Sequence, residues 1–422
     1  MNKKTPGPDK QLQAQRRAAM RDAHRALVLQ GGGALGAYQA GVYAAASETQ
    51  RPPDWIAGVS IGAVNAALIA GNPPDKRADR LREFWELVSS GPAQRLPPWL
   101  ATREMLNQWS AAMAALVGVP GFFEPRRTPA LLLGTAAPLT SVYDTSPLRS
   151  TLERLVDFDR LNDDGIRVSV GAVNVRTGNS VYFDNRSRRL GPEHIMASGA
   201  LPPGFPPVSI DGEDYWDGGI VSNTPLQYVL DMHPRTEPLV VLQVDLFSAR
   251  GLMPASLSEV MERQKDITYS SRTRMNTDVM AANMNLQQAI ADLIARLPAA
   301  MRQDPGVAQV QAMLTHQPID VYHLIYRDKP YELESKDYEF SRAAVEEHWE
   351  AGMRDMRRTL AHPELLLGTP AMNGVTTYDL CEEGAPAKVK HPMTDPTATA
   401  SGGRSAAPGP IAARSIRTPR RA

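Results

Sequence analysis

The stretch "VLQGGGALGAYQAG", residues 28–41, decides the fold of the N-terminal half. It joins a β-type run, residues 25–30, to an Ala-rich stretch typical of a helix. Gly31, Gly33 and Gly36 satisfy G-x-G-x-x-G, which holds a dinucleotide pyrophosphate where a strand passes into a helix. The same backbone N–H groups can instead hold an anion that forms during a reaction. The loop by itself leaves both interpretations open.

Composition bounds the class of protein. The chain has 422 residues, of which 42% are hydrophobic and 22% charged, as in soluble globular proteins. The one cysteine, Cys381, excludes an intramolecular disulfide framework and suits a reducing compartment. No apolar run is long enough for a membrane span, and the N-terminus has no apolar signal core. We therefore expect a cytoplasmic protein.

The formal net charge is zero, but both ends are basic and the body is acidic. Residues 1–24 are interpreted as a polar basic arm, and residues 383–422, rich in Pro, Ala, Gly, Ser, Thr and Arg, as a disordered tail. Basic ends can contact anionic lipid or nucleic acid. Solvated, disordered ends are the preferred interpretation, and no nucleic-acid partner is predicted.

The element pattern predicts an α/β fold. A second strand, 54–59, and a second helix, 61–70, complete a βαβα opening, which favours a mostly parallel sheet with helices on its faces. Further strands are predicted at 167–178, 180–183, 238–247 and 319–326, the third of these being central.

Two apolar stretches are predicted to be buried. The stretch 109–123 is interpreted as a buried helix in preference to a lid or acyl-binding flap. Within a helix predicted over 255–298, four aliphatic side chains share one face, which predicts packing in the core. They are Leu286, Ile290, Leu293 and Leu297. The stretch 345–360 repeats apolar residues at the same helical spacing.

A candidate nucleophile follows the second strand. Gly58 to Gly62 spell G-x-S-x-G at a strand-to-helix turn, where glycines relieve the crowding around an exposed serine. In isolation, a serine that caps the helix explains the motif equally well. Its placement favours catalysis, because the glycine loop and Ser60 follow adjacent strands and meet at the carboxyl edge of a parallel sheet.

The end of the second strand also weighs against a dinucleotide. A dinucleotide fold places an acidic residue there for the ribose, whereas this chain has Gly-Val-Ser-Ile-Gly. The interpretation of the glycine loop as an anion-binding site is therefore favoured over the dinucleotide site. Gly31, Gly32 and Gly33 would supply N–H groups to an oxyanion beside Ser60.

A serine nucleophile needs a base. None of the eight histidines lies in a catalytic motif, and three are predicted to be structural or exposed residues of helices and strands: His194, His323 and His348. The better candidate is Asp217, in "YWDGGIVSNTPL", residues 215–226, where Gly218 and Gly219 allow a tight turn. A plain Asp-Gly turn accounts for this motif taken alone.

Four motifs in this order resemble the patatin-like phospholipase family, specifically bacterial members with a C-terminal extension. They are G-G-G-x-x-G at 31–36, G-x-S-x-G at 58–62, "SGALPPGFPPV" at 198–208 and D-G-G at 217–219. The resemblance covers about residues 25 to 247. It implies a three-layer α/β/α sandwich and lipid acyl hydrolysis by a Ser-Asp dyad without histidine.

The resemblance also assigns roles. Ser60 would be the nucleophile and Asp217 the base, with no metal or organic cofactor. Gly31, Gly32 and Gly33 would form the oxyanion hole, and five further glycines would support the motifs: Gly36, Gly58, Gly62, Gly218 and Gly219. Many relatives carry Lys or Arg where this chain has Leu35. The resemblance therefore predicts the substrate preference of this chain less well than it predicts the dyad.

The expected organisation is an arm (1–24), a catalytic domain (25–250), a mostly helical extension packed on it (251–382) and a tail (383–422). The extension could cover the sheet, build an acyl pocket or form an oligomer contact.

The function hypothesis is hydrolysis of phospholipids or related acyl esters. A soluble esterase, lysophospholipase, thioesterase or storage-polyester hydrolase would use the same dyad. A non-catalytic lipid-binding scaffold and a nucleotide-binding oxidoreductase are the alternatives from other classes. The expected partner is a lipid or acyl-ester substrate; contact with a membrane or lipid surface and the oligomeric state stay open.

Overall fold

The computed structural model describes the ranges 23–48, 51–91, 103–126, 140–234, 237–314, 319–327, 335–361, 375–379 and 387–388. These ranges belong to one compact unit within Met1–Val389. Three sequence predictions lie outside the described residues. They concern the arm 1–24, apart from residues 23–24, the tail 383–422, apart from residues 387–388, and Cys381.

Two sets of strands are present. The main sheet contains β1 (His24–Leu29), β2 (Trp55–Val59), β5 (Arg167–Asn174), β6 (Ser180–Asp184), β7 (Val208–Ile210), β8 (Glu213–Asp217), β9 (Leu239–Asp245), β10 (Ile319–Ile325), β11 (Val375–Asp379) and β12 (Ala387–Lys388). The short strands β3 (Glu124–Pro125) and β4 (Tyr143–Asp144) pair separately.

The sheet order is β12-β11-β10-β9-β1-β2-β5-β8-β7, with β6 also paired to β5. All neighbours from β11 to β5 are parallel, while β6, β7, β8 and β12 pair antiparallel. The predicted mostly parallel sheet is therefore confirmed, with β9 central. The strand β10, from the C-terminal part of the chain, extends the same sheet.

The helices flank this sheet. They are α1 (Gly36–Ala46), α2 (Ile61–Ala70), α3 (Arg77–Val88), α4 (Arg103–Val117), α5 (Ser146–Leu155), α6 (Phe158–Asp163), α7 (Pro192–Ser198), α8 (Leu226–Met232), α9 (Leu257–Arg296), α10 (Ala299–Arg302), α11 (Pro305–Met313) and α12 (Arg342–Leu360). Short 3₁₀ turns lie at Gly33–Leu35, Gly218–Ile220 and Lys336–Tyr338.

Apolar cores cover both faces of the sheet, because alternate strand residues point to opposite faces. Leu27 and Leu29 of β1 join the large core with α1, α2, α3 and α12. Ala26 and Val28 join a smaller core that includes residues of α8. The predicted three-layer α/β/α sandwich is confirmed.

The late apolar repeat forms α12 as predicted, and this helix packs on α1. Trp349 is buried in the large core. Tyr38 Oη of α1 donates a hydrogen bond of 2.8 Å to Asp355 Oδ2 of α12. The C-terminal part of the chain therefore supports the helix that follows the glycine loop.

The predicted core face of α9 is wrong for two of its four residues. The side chains of Leu286 and Leu293 are 60% and 62% exposed, whereas Ile290 and Leu297 are partly buried. Helical spacing shows that apolar side chains share a face, but only tertiary packing decides whether a neighbour covers it.

The helix predicted within 109–123 is only half buried. Along α4, Ala111 and Ala114 face inward, whereas Trp109 and Leu116 are 49% and 73% exposed. Small residues pack against the body and large ones face outward, so the expectation of a buried helix is wrong for the outer face. Among the described residues, no helix has the length and hydropathy of a membrane span.

Candidate active site

Ser60 lies between the buried end of β2 and the start of α2. Its φ of 56° and ψ of −124° are unusual for a residue with a side chain and mark a strained turn. The turn requires glycine on both sides, because a β-carbon at Gly58 would lie 2.3 Å from the carbonyl oxygen of Gly62, and one at Gly62 would lie 2.4 Å from that of Leu29. The local sequence therefore holds Ser60 at the carboxyl edge of the parallel strands.

Ser198 fixes the turn from outside. The Ser60 N–H donates to the carbonyl oxygen of Ser198 at 3.1 Å and to its Oγ at 3.0 Å. The Ser198 hydroxyl in turn donates to the carbonyl oxygen of Gly171 at 2.6 Å. Ser198 begins the stretch "SGALPPGFPPV", but no sequence pattern indicated its role, since the contact joins segments far apart in the chain.

Strand register brings Asp217 to Ser60. Val59 pairs with Gly171 across β2 and β5, and the next residue of β5, Ala172, pairs with Asp217 at the end of β8. Ser60 and Asp217 line the same pocket, and the Ser60 side chain acts on the pKa of the Asp217 carboxyl as a hydrogen-bonding neighbour. The structure therefore brings together the two residues that the sequence singled out from motifs more than a hundred and fifty residues apart.

The environment of Asp217 perturbs its ionisation. Its side chain is buried, and Oδ1 accepts the N–H of Gly219 at 2.7 Å. Burial raises the pKa of Asp217 to about 6, although the hydrogen bonds from Ser60 and Gly219 favour the charged form. A carboxylate with a raised pKa beside a serine hydroxyl is suited to accept its proton near neutral pH.

The glycine loop offers two free donors. Gly31 donates its N–H to the carbonyl oxygen of Asn223 at 3.1 Å, so this N–H is occupied. Within the described part of the chain, the N–H groups of Gly32 and Gly33 have no protein acceptor. Gly33 has a φ of +55°, and a β-carbon there would lie 2.2 Å from the carbonyl oxygen of Asp337. Of the three predicted oxyanion-hole glycines, Gly32 and Gly33 can therefore donate.

The remaining motif glycines allow close packing. A β-carbon at Gly36 would lie 2.5 Å from Ile61 Cγ1, and one at Gly218 would lie 2.5 Å from the Gly171 carbonyl oxygen. Gly219 lies against Asn223. Leu35, at the position where many relatives carry a cation, is fully buried in the large core.

Gln30 anchors the start of the glycine loop. Its Oε1 accepts the N–H groups of Leu246 and Phe247 at 2.6 and 3.0 Å. Its Nε2 donates to Thr224 Oγ1 at 2.9 Å and to the Tyr269 carbonyl oxygen at 3.2 Å. One buried amide thus ties the end of β1 to the end of β9 and to α9. No sequence motif signalled this role.

A pocket of about 830 Å³, part of it open to solvent, adjoins Ser60 and Asp217. The glycine loop lines one side. Most of the remaining lining is apolar: Ile61, Val64, Phe122, Phe123, Leu148, Met196, Leu201, Phe205, Phe247 and Phe340. The C-terminal extension contributes Tyr269, Asp337 and Tyr338 besides Phe340. An apolar lining of this kind suits an apolar ligand beside Ser60 and Asp217.

The three histidines weighed from the sequence lie outside this pocket. His194 accepts the N–H of Gly191 at the start of α7, His323 lies in β10, and His348 packs on Tyr326 from α12. Among the described residues that line the pocket, none is a histidine. Among the described residues of the pocket, Asp217 is the carboxylate whose pKa responds to the Ser60 side chain.

Comparison with family models defines the class of protein. A model described as "Patatin-like phospholipase" matches residues 27–230, and one described as "Patatin phospholipase" matches residues 267–370. The chain belongs to the patatin-like phospholipase family. The first match contains the dyad candidates, and the second covers most of the extension.

Individual curated proteins of this family share only about a quarter of their residues with the matched segment of this chain. "Patatin-like phospholipase domain-containing protein 7" of Mus musculus is 25% identical over 249 residues, which is 57% of this chain and 15% of that protein. Its Rattus norvegicus counterpart is 26% identical over 228 residues, 53% of this chain and 14% of that protein. The matched segment is thus a small part of the relatives' length.

Two solved structures are similar at low scores. VipD from Legionella pneumophila is 14% identical, with a TM-score of 0.32 over 82% of this chain and 67% of that chain. Human GIVD cytosolic phospholipase A2 is 12% identical, with a TM-score of 0.36 over 86% and 64%.

Proposed function

We propose that this protein is a serine acyl hydrolase that cleaves carboxylic ester bonds of lipids or related acyl esters. The observation that carries the proposal is the buried Asp217 carboxylate beside the Ser60 side chain in a mostly apolar pocket. Gly32 and Gly33 line the same pocket, and their N–H groups have no acceptor among the described residues, which supports a role as the oxyanion hole.

The reaction proceeds in two halves. Asp217 takes the proton of Ser60 Oγ as the oxygen attacks the ester carbonyl carbon, and Gly32 and Gly33 donate to the resulting oxyanion. When this intermediate collapses, the C–O bond to the alcohol breaks and Asp217 returns the proton to the leaving oxygen. Water, losing a proton to Asp217, then attacks the acyl-Ser60 ester, and the fatty acid leaves as Ser60 regains its proton.

Gly31 has a supporting role in this scheme, because its own N–H is bound to Asn223. The catalytic domain, residues 25–250, supplies the dyad and the glycine loop. The extension, residues 251–382, supplies part of the pocket wall through Tyr269 and Phe340.

The pocket supports an acyl substrate more directly than any head group. Its lining of mostly aliphatic and aromatic side chains favours contact with an acyl chain. Phospholipids, lysophospholipids, simple esters and thioesters all present such a chain. The preference among these substrates therefore has to be ranked by measuring kcat/KM for each of them.

The test is hydrolysis by the purified full chain of p-nitrophenyl butyrate, octanoate and palmitate, and of phosphatidylcholine in mixed micelles. Ser60→Ala, with an unchanged circular dichroism spectrum, should lower kcat/KM by roughly a thousandfold or more. Hydrolysis by Ser60→Ala at the wild-type rate would overturn the proposal.

A further inference from the structure

The segment Ser335–Phe340, called here the strap, belongs to the extension and lies over the glycine loop. The carbonyl oxygen of Asp337 packs against Gly33 so closely that a β-carbon there would lie 2.2 Å from it. Asp337, Tyr338 and Phe340 also line the pocket. The strap therefore contacts the glycine loop and also lines the pocket proposed for the acyl chain.

One face of α9 holds the strap in place. Glu262, Lys265, Asp266 and Tyr269 follow one another at i, i+3, i+4 and i+7, which places them on one side of a helix. Lys265 Nζ lies 2.7 Å from Asp337 Oδ1. This face is charged rather than apolar, which is why apolar periodicity did not reveal it.

A second ion pair is more deeply buried. Lys336 of the strap is fully buried, with its Nζ 2.8 Å from Asp266 Oδ1 and 3.3 Å from Glu262 Oε1. The same ammonium lies 5.7 Å from the ring centre of Phe247, which lines the pocket. Buried charges persist only when they are paired, so this arrangement fixes the strap on α9 in one register.

The inner end of the strap completes the apolar wall. Phe340 is 7% exposed, and its ring centre lies 5.8 Å from that of Phe122, which comes from the turn after α4. Phe122 in turn packs on Phe205 at 6.1 Å. The wall of the pocket is thus shared between the catalytic domain and the extension.

We propose that the ion-paired strap of the extension completes the active site, with Lys265 as a positioning residue and Phe340 as a residue that determines acyl-chain preference. Through Asp337, Lys265 keeps the strap against Gly33, whose N–H then points at the developing oxyanion. Through Phe340, the strap limits the space for the acyl chain. This inference rests on the proposed hydrolase function.

The first comparison is between Lys265→Met, Lys265→Arg and Arg357→Met. Arg357 is the matched control, because its ion pair with Glu48 is also 2.7 Å long and joins the extension to the N-terminal part of the chain without lining the pocket. Lys265→Met should lower kcat for p-nitrophenyl octanoate by about tenfold, while Lys265→Arg and Arg357→Met stay within about twofold of wild type. Asp337→Asn removes the same pair from the other side and should match Lys265→Met.

The second comparison is between wild type and Phe340→Leu. This substitution makes the side chain in the pocket wall smaller and keeps it apolar. The ratio of kcat/KM for palmitate to that for butyrate should rise by about fivefold, because a smaller side chain leaves more room for a long acyl chain. A change in thermal stability with an unchanged ratio would contradict the specificity role. Wild-type kinetics in both Lys265→Met and Asp337→Asn would overturn the positioning role while leaving the proposed function intact.

A binding measurement separates failure of this inference from failure of the hydrolase proposal. cis-Parinaric acid is a fluorescent fatty acid, and its binding does not require the serine, so it can be measured in a Ser60→Ala background. Adding Lys265→Met or Phe340→Leu should change its Kd by about threefold or more, whereas adding Arg357→Met should not. If wild type hydrolyses no ester, the Kd values still test the role of the strap. Unchanged Kd values for both Lys265→Met and Phe340→Leu would overturn the inference.

Discussion

Asn223 joins Gly31 through two hydrogen bonds. Its Nδ2 donates to the Gly31 carbonyl oxygen at 2.9 Å, and its own carbonyl oxygen accepts the Gly31 N–H at 3.1 Å. Its Oδ1 also lies beside Gly219, 2.7 Å from where a β-carbon would stand. One buried residue therefore sets the distance between the glycine loop and the turn that carries Asp217.

Asn223→Ala should lower kcat more than it raises KM, because the glycine loop would lose the side-chain one of its two hydrogen bonds to residue 223 and be held less firmly. We expect a fall in kcat of roughly tenfold to a hundredfold. Asn72→Ala is the matched control: Asn72 is equally buried, at 6%, and its side-chain amide likewise donates to backbone carbonyl oxygens, those of Leu68 and Leu155. Equal losses of kcat in the two variants would show that Asn223 acts only through stability.

Gly33→Ala should nearly abolish ester hydrolysis. The added β-carbon meets the Asp337 carbonyl oxygen and forces the loop or the strap to move. Gly178→Ala is the control, because Gly178 has a comparable φ of +70° but no atom within 4 Å of an added β-carbon. Both variants share the backbone strain of about 1 kcal/mol, so a matching loss of activity in Gly178→Ala would contradict a specific role for the loop.

The rate of hydrolysis should rise with pH and level off above the pKa of Asp217. As a base, Asp217 must be ionised, and burial raises its pKa to about 6. With the neutral substrate p-nitrophenyl butyrate, log kcat/KM should climb with a slope near one below about pH 6 and be flat above it. A profile that is already flat from about pH 4 would contradict an Asp217 base with this pKa.

Asp217→Asn should stabilise the fold at neutral pH while it removes activity. The folded pKa of about 6 lies above the ordinary 3.8, so the stability from protonated Asp217 is complete below about pH 4 and lost as pH rises through 6. The shift corresponds to at most about 3 kcal/mol. The variant should therefore show a higher Tm than wild type at pH 8 and about the same Tm at pH 4. A lower Tm at pH 8 would contradict this.

The sequence predicts the local parts of the site well. A strand, three glycines and an Ala-rich helix form β1, the loop and α1, and G-x-S-x-G forms the strained turn at Ser60. Adjacency of β1 and β2 follows from a βαβ connection, so the glycine loop and Ser60 could be placed on one edge in advance. These features depend on contacts that are near in sequence.

The contacts between distant segments could not be predicted in this way. Asp217 approaches Ser60 through antiparallel pairing of β8 with β5, and only the family resemblance indicated that meeting. Asn223 acts through backbone groups of a loop nearly two hundred residues away. Lys265 is a charged helix residue that, without the strap, would be expected to face solvent.

The mistaken core face of α9 has the same origin. The spacing of Leu286 and Leu293 correctly placed them on a helix, but not against a neighbour. Periodicity is a property of one element, whereas burial belongs to a pair of elements.

Labelling with a fluorophosphonate, which reacts with activated serines, tests the central claim most directly. The full chain should be labelled at Ser60, as located by mass spectrometry. Folded Ser60→Ala should show no label, and Asp217→Asn should react at least about a hundredfold more slowly than wild type. Labelling of Ser60→Ala at the wild-type rate, or of Asp217→Asn as fast as wild type, would contradict an Asp217-activated Ser60.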